Sequence, residues 1–243
     1  MSHDPHSSLP LSVVVPMHNE AGHVASLMAE IVRVCGAAGS FEIVAVDDGS
    51  RDRTHDELVA AQAHAPMLHI VRHGARCGQS QALISGVAAA RGEWVLTLDG
   101  DGQNDPADGV KLIAAREAAG ARADRTLFIG HRVARHNGPG KALASRIANT
   151  VRAYVLRDAT PDSGCGLKLF RRDVFLALPR FDALHRFMPA LVLRAGGQVV
   201  SVPVAHRPRG YGRSHYGILG RGLIGIIDLL GVWWLMRRYT RAH

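Results

Sequence analysis

The run Leu96-Thr97-Leu98-Asp99-Gly100-Asp101-Gly102-Gln103 carries three side-chain oxygen donors at alternating positions. Trp94 to Leu98 is apolar and reads as a buried strand. An extended continuation points Asp99, Asp101 and Gln103 to one side. Hard oxygen donors of this kind suit Mg²⁺ or Mn²⁺, which usually fill the rest of their shell with phosphate and water. Gly100 and Gly102 let a ligand come close to the backbone. The same residues also make an ordinary polar turn after a strand. What favours metal chemistry is their place at the C-terminal end of a strand, where open α/β sheets bind ligands.

Those residues need a frame, and hydrophobic periodicity supplies one. Strands are read at 11–15, 42–46, 68–71, 94–98, 126–130 and 198–204, the first stopped by Pro16. Helices are read at 21–37, 52–64, 79–90, 107–119, 142–156, 172–178 and 183–195, with a turn-rich segment at 161–166. Strands alternating with helices predict a mostly parallel sheet with right-handed crossovers. The polar strand ends then gather on one edge: His18-Asn19-Glu20, Asp47-Asp48 and Asp99-x-Asp101. The first strand is followed by no Gly-x-Gly-x-x-Gly, and the chain has no Gly-Lys-Ser/Thr loop, so a dehydrogenase and a P-loop NTPase are not expected.

The bulk numbers agree with one α/β domain. The chain has 243 residues, 47% hydrophobic and 21% charged, which is globular rather than disordered. Its net charge of +8, mostly from arginine, favours a phosphorylated or anionic partner. Nucleic acid is not expected, because aromatics are 5% and no basic stripe interleaves them. Cys35, Cys77 and Cys165 are odd in number and widely spaced, which fits a reduced compartment better than a disulfide framework. Residues 1–10 are polar, without the apolar core of a secretory signal, and read as a disordered terminus.

The tail, 217–238, is apolar, with Trp233, Trp234, Arg237 and Arg238 near its end. Asp228 interrupts it, and a spanning helix needs about 20 apolar residues, so a membrane span is not expected. Two readings stay open: an amphipathic helix lying in an anionic membrane surface, or a helix packed on the core.

Four ordered motifs resemble those of the family 2 glycosyltransferases: Val15 to Glu20, Val46 to Asp52, Gly78 to Gly86, and Asp99 to Pro106. Within that family the chain is similar to the polyprenyl-phosphate sugar synthases. That likeness rests on Gly130-His131-Arg132, Arg146 to Asn149, Asp162 to Phe170 and Arg209 to Tyr216. The tail run Asp228 to Val232 also resembles bacterial members that act in lipid A decoration. The resemblance implies an α/β glycosyltransferase A-type fold: a mostly parallel sheet flanked by helices, with a C-terminal amphipathic helix. It implies a catalytic domain over 11–216 and the apolar helix over 217–243.

It also implies roles. Pro16, His18, Glu20, Asp47 and Asp48 line a nucleotide pocket. Asp99, Asp101 and Gln103 hold Mg²⁺ or Mn²⁺ on the donor diphosphate. Arg132, Arg146, Arg209 and Ser214 bind an acceptor phosphate, with Asp99, Asp101, Arg132 and Arg209 nearest the chemistry. Two departures stand out: His18 occupies a position commonly held by Tyr, and Ser214-His215 stands where Ser-Lys is common. The implied reaction is an inverting transfer from a nucleotide sugar to a polyprenyl phosphate, on the cytosolic face of the inner membrane. The alternative is a family 2 enzyme acting on a hydroxyl, in which Asp162 would serve as base. Capping the following segment and orienting an arginine are the other roles open to Asp162.

Overall fold

The computed structural model describes residues 10–37, 39–133, 149–158, 160–207 and 218–238, the side chains of 218–224 excepted. The N-terminal tail to residue 9, Arg146, Arg209 and Ser214 lie outside the described residues. Seven strands form one sheet: β1 (Leu11–Met17), β2 (Phe41–Asp47), β3 (Leu68–Arg72), β4 (Trp94–Thr97), β5 (Thr126–Arg132), β6 (Lys168–Arg171) and β7 (Gln198–Val204). Their order is β3-β2-β1-β4-β6-β5-β7. β6 runs antiparallel to both neighbours, and every other pairing is parallel. The helices are α1 (Val24–Gly36), α2 (Thr54–Gln62), α3 (Gln79–Ala89), α4 (Asp108–Ala119), α5 (149–156), α6 (Arg172–Leu176), α7 (Leu184–Arg194) and α8 (Ile218–Arg237).

The central strands are apolar along their whole length because helices cover both faces. Val13, Val14, Val15, Ile43, Val44, Ala45 and Val46 are fully buried. β1 continues through Pro16 to Met17, two residues past the expected stop. Its pairing with β4 ends at Val14 ↔ Thr97, so Pro16 has a ladder partner on the β2 side alone. A proline is tolerated where one side of a strand is unpaired.

The expected strand at 126–130 extends to Arg132, through pairing with β7 up to Arg132 ↔ Val204. β6 was not expected. Its four residues are too few to show a period, and they begin with a lysine. Paired with Trp94–Thr97, β6 occupies the place beside β4 that a further parallel strand would otherwise take.

The tail forms a helix with one side packed on the core. α8 packs on α7 and the core through Val232, Leu229, Trp233, Leu235 and Met236, and Arg194 Nε donates to Leu235 O at 3.0 Å. Its other side exposes Ile226, Ile227, Leu230 and Trp234, each more than half accessible. Among the described residues no helix is long and apolar enough to cross a membrane.

α3 lies close on the sheet because Gly86 has no side chain. A Cβ there would stand 2.5 Å from Val14 Cγ1 and 2.9 Å from Val46 Cγ2, both on stiff β-branched side chains of central strands. Gly86→Ala is expected to destabilise the fold by about 1–3 kcal/mol in urea unfolding, the usual range for an overpacked core. An unchanged midpoint would refute this packing.

Candidate active site

The ends of β1 and β2 are laced together before any ligand arrives. His18 Nδ1 lies 2.8 Å from Asp48 O. Arg51 N donates to Asn19 Oδ1 at 2.8 Å, Asn19 N to Ser50 Oγ at 3.0 Å, and Glu20 N to Thr54 Oγ1 at 2.8 Å. Pro16, His18 and Glu20 are half-buried. Asp47 is fully buried: Oδ1 accepts Ser50 N at 2.9 Å, and Oδ2 lies 3.4 Å from Arg72 Nε and 3.5 Å from His55 Nδ1.

Asp48 grips the loop after β3. It accepts hydrogen bonds from Cys77 N and Gly78 N and pairs with His73 Nδ1, each at 2.8 Å. Burial alone would raise its pKa, but those three partners outweigh burial and hold it below the usual aspartate range. Gly49, with φ +63, lets the 73–78 loop pass close, since a Cβ there would meet the Ala75–Arg76 backbone. The two carboxylates thus brace the crevice, while the backbone they organise, with Pro16, His18 and Glu20, forms its lip.

The oxygen donors follow β4. Asp99, Asp101 and Gln103 are all half-buried. Gln79 Nε2, at the start of α3, donates to Asp99 Oδ1 at 2.8 Å, and Asp99 N donates to Asn104 Oδ1 at 3.0 Å. Gly166 packs flat on the Asp99 carboxylate, so a Cβ at 166 would overlap it. Asp101 Oδ1 accepts Gln103 N at 3.1 Å. Gln103 Nε2 is turned to His206 Nε2 at 3.4 Å, which leaves its carbonyl oxygen for a cation. Two carboxylates and one amide oxygen, clustered at a strand end, fit a hard divalent ion.

Behind this set stands a group of cations. Arg132 forms a two-pronged pair with Asp162: Nε to Oδ2 at 2.7 Å and Nη2 to Oδ1 at 2.9 Å. Burial would weaken the guanidinium charge, but Asp162 outweighs burial and keeps it firmly cationic. Lys168 is fully buried and donates to Cys165 O. Its burial pushes the pKa down against the attraction of Cys165, Asp99 and Asp162. Arg152, also buried, joins α5 to the 158–163 loop through Asp158, Thr160 O and Ser163 Oγ. Beneath α3, His185 lies 2.8 Å from Ser80 Oγ, and burial with Lys168 and Arg186 nearby lowers its pKa to about 3.

The structure therefore brings Asp99, Asp101, Gln103 and Arg132 to one sheet edge, beside the lip formed by Pro16, His18 and Glu20 and braced by the buried Asp47 and Asp48. Several contributors are not evident in sequence. His73 sits in a polar loop whose direction depends on β3, and Gln79 opens the helix that follows it. Lys168 belongs to an unrecognised strand. Arg207 lies two residues before the expected Arg209. Its backbone N donates to Gln103 O at 3.0 Å, and its guanidinium reaches Glu30 and Asp105, each at 2.8 Å. This ties the root of the basic loop to the metal-motif loop.

Gly166→Ala is expected to move the Asp99 carboxylate and weaken Mn²⁺ binding, read by titration calorimetry, by at least about tenfold, as lost support of a metal ligand typically does. Unchanged affinity in a folded variant would contradict that contact.

Residues 12–178 match the model of Glycosyl transferase family 2. A dodecaprenyl-phosphate galacturonate synthase from Rhizobium johnstonii is 34% identical over 99% of this chain and 71% of its own length. An undecaprenyl-phosphate 4-deoxy-4-formamido-L-arabinose transferase from Edwardsiella ictaluri is 32% identical over 86% of this chain; the match spans 63% of that protein. A Pyrobaculum calidifontis mannosyltransferase, solved with GDP-Man and Mn²⁺, shares the fold at a TM-score of 0.62 and 20% identity, over the whole of this chain and 68% of that one. A mostly parallel sheet with its acidic motifs at one edge, together with a family match over more than half the sequence, makes this chain a member of glycosyltransferase family 2.

Proposed function

We propose that the protein transfers a sugar, with inversion, from a GDP- or UDP-linked donor to the phosphate of a polyprenyl phosphate. The observation that carries this reading is the Arg132–Asp162 pair. Asp162 is the carboxylate that the hydroxyl-acceptor alternative requires as base, and both its oxygens are engaged by Arg132. A lipid phosphate needs no such base, because near neutral pH it is already an anionic oxygen nucleophile. It needs cations instead, and a guanidinium fork fits phosphate oxygens. The two relatives named above both carry polyprenyl-phosphate acceptors in their names, which supports the same reading.

In this scheme the lip of Pro16, His18 and Glu20, braced by Asp47 and Asp48, receives the nucleoside. Asp99, Asp101 and Gln103 hold Mg²⁺ or Mn²⁺. A bound ion would neutralise charge building on the departing nucleoside diphosphate. Arg132 orients the acceptor phosphate towards the anomeric carbon, helped by Arg146, Arg209 and Ser214. The oxygen–carbon bond forms as the bond to the diphosphate breaks, and the diphosphate departs with that electron pair. Buried Lys168, donating to Cys165 O, fixes the floor of the site beneath the acceptor side.

The exposed face of α8 carries the enzyme to its acceptor. Ile226, Ile227, Leu230 and Trp234 enter the interface of an anionic membrane on its cytosolic face. Arg237 and Arg238, stacked over Trp233 and Trp234 at 4.0 and 5.7 Å, meet the headgroups. Paired Ile227→Ser and Trp234→Ser changes are expected to reduce co-sedimentation with anionic vesicles and leave the melting temperature within a few degrees. Undiminished sedimentation would remove α8 from this role.

The decisive assay follows nucleoside diphosphate release from GDP- and UDP-sugars, with Mg²⁺ or Mn²⁺, with and without undecaprenyl phosphate. Release is expected to depend on the lipid phosphate and to fall by about 10²–10³ in Asp101→Asn and in Arg132→Ala, the range for losing one transition-state contact. Turnover on a hydroxyl acceptor alone would overturn the proposal.

A further inference from the structure

A second cluster of donors lies apart from the oxygen set at 99–103. Asp48, His73 and Cys77 each offer one ligand atom, and these atoms lie within 4.8 Å of one another. Asp48 Oδ1 and His73 Nδ1 are 2.8 Å apart. Cys77 N is held 2.8 Å from the same Oδ1, which fixes the root of that side chain, and its thiol donates to Ala75 O at 3.2 Å. We propose that Asp48, His73 and Cys77 form a site for a thiophilic divalent ion of the Zn²⁺ kind, separate from the Mg²⁺ or Mn²⁺ of the transfer reaction.

Donor chemistry points that way first. Carboxylate, imidazole and thiolate together make a Zn²⁺ set, whereas Mg²⁺ and Mn²⁺ favour oxygen alone. The two clusters of this chain therefore sort ions by softness.

Support around the ligands points the same way. His73 Nε2 lies 2.9 Å from Ser85 Oγ, so with Nδ1 on the ion the Nε2–H donates to that hydroxyl and fixes the tautomer. Asp48 Oδ2 accepts Gly78 N and Oδ1 accepts Cys77 N, each at 2.8 Å, which orients the carboxylate with Oδ1 turned to His73. Bonds of about 2.0–2.3 Å to Zn²⁺ ask Asp48 and His73 to part by roughly half an ångström and Cys77 to turn inward.

Access completes the case. Cys77 is exposed, while Cys35 and Cys165 are buried and do not compete. Binding displaces the thiol proton of Cys77, while the His73 proton sits on Nε2 facing Ser85 Oγ. The bound ion joins the end of β2, the 73–78 loop and the start of α3, bracing the crevice from behind.

Co²⁺ is the probe, added to the purified protein in excess Mg²⁺ so that the oxygen set is saturated. A thiolate-to-cobalt charge-transfer band is expected at one equivalent, displaced by Zn²⁺, with Cys77 then shielded from alkylation. Cys77→Ser, at an exposed position, abolishes the band at unchanged melting temperature. His73→Gln weakens Zn²⁺ binding roughly 10–100-fold or more, and Asp101→Asn leaves the band in place. No band in the wild type, a band that survives Cys77→Ser, or a band lost in Asp101→Asn would each overturn the site.

Discussion

β6 runs antiparallel between β4 and β5, and its register against β4 decides what stands beside Asp99. Thr97 pairs with Lys168, and Thr97 Oγ1 donates to Gly166 O at 2.6 Å. That pairing presses Gly166 against the Asp99 carboxylate and buries Lys168 beneath it. The same register brings the 162–165 turn to the end of β5, where Asp162 meets Arg132. A parallel strand in this place would bring its C-terminal end here instead. Buried charges persist only where partners surround them, and here the antiparallel strand supplies the partners.

The acidic motifs thus divide their labour. Asp47 and Asp48 act mainly on the protein itself, closing a turn and pinning the 73–78 loop. Asp99 and Asp101 stay half-buried at the edge. The pinned loop feeds directly into α3, whose first residue, Gln79, steadies Asp99. Loss of the Asp48 grip would therefore reach the Asp99 carboxylate through one loop and one glutamine. A similar chain runs from Arg152 through Ser163 and Asp162 to Arg132, so that guanidinium is also positioned from a distance.

Much of this was legible in the residues. Apolar runs closed by Asp-Asp-Gly-Ser and Asp-Gly-Asp-Gly marked strands and their edge, because a parallel sheet buries continuous apolar segments and turns demand Gly and Asp. The metal-type donor set and Arg132 could be singled out on motif position. What stayed hidden depended on long-range pairing. Lys-Leu-Phe-Arg is too short for a period and opens with a residue that is rarely buried. Gly166 shows its purpose only once Asp99 is beside it. His73 and Cys77 read as polar loop residues until the Asp48 side chain is seen to hold them. Pro16 argued for a strand end and met instead a strand with one free side. In the tail, apolar residues on both sides of one helix hid which side packs on the core.

The central claim is that the nucleophile is a phosphate oxygen placed by cations, with Asp162 serving Arg132 rather than acting as base. The most direct measurement is the ³¹P spectrum of the lipid product formed from undecaprenyl phosphate and the working donor. The account predicts conversion of the phosphate monoester to a phosphodiester coupled to the anomeric centre. A product whose lipid phosphate remains a monoester, with the sugar on a hydroxyl, would contradict it.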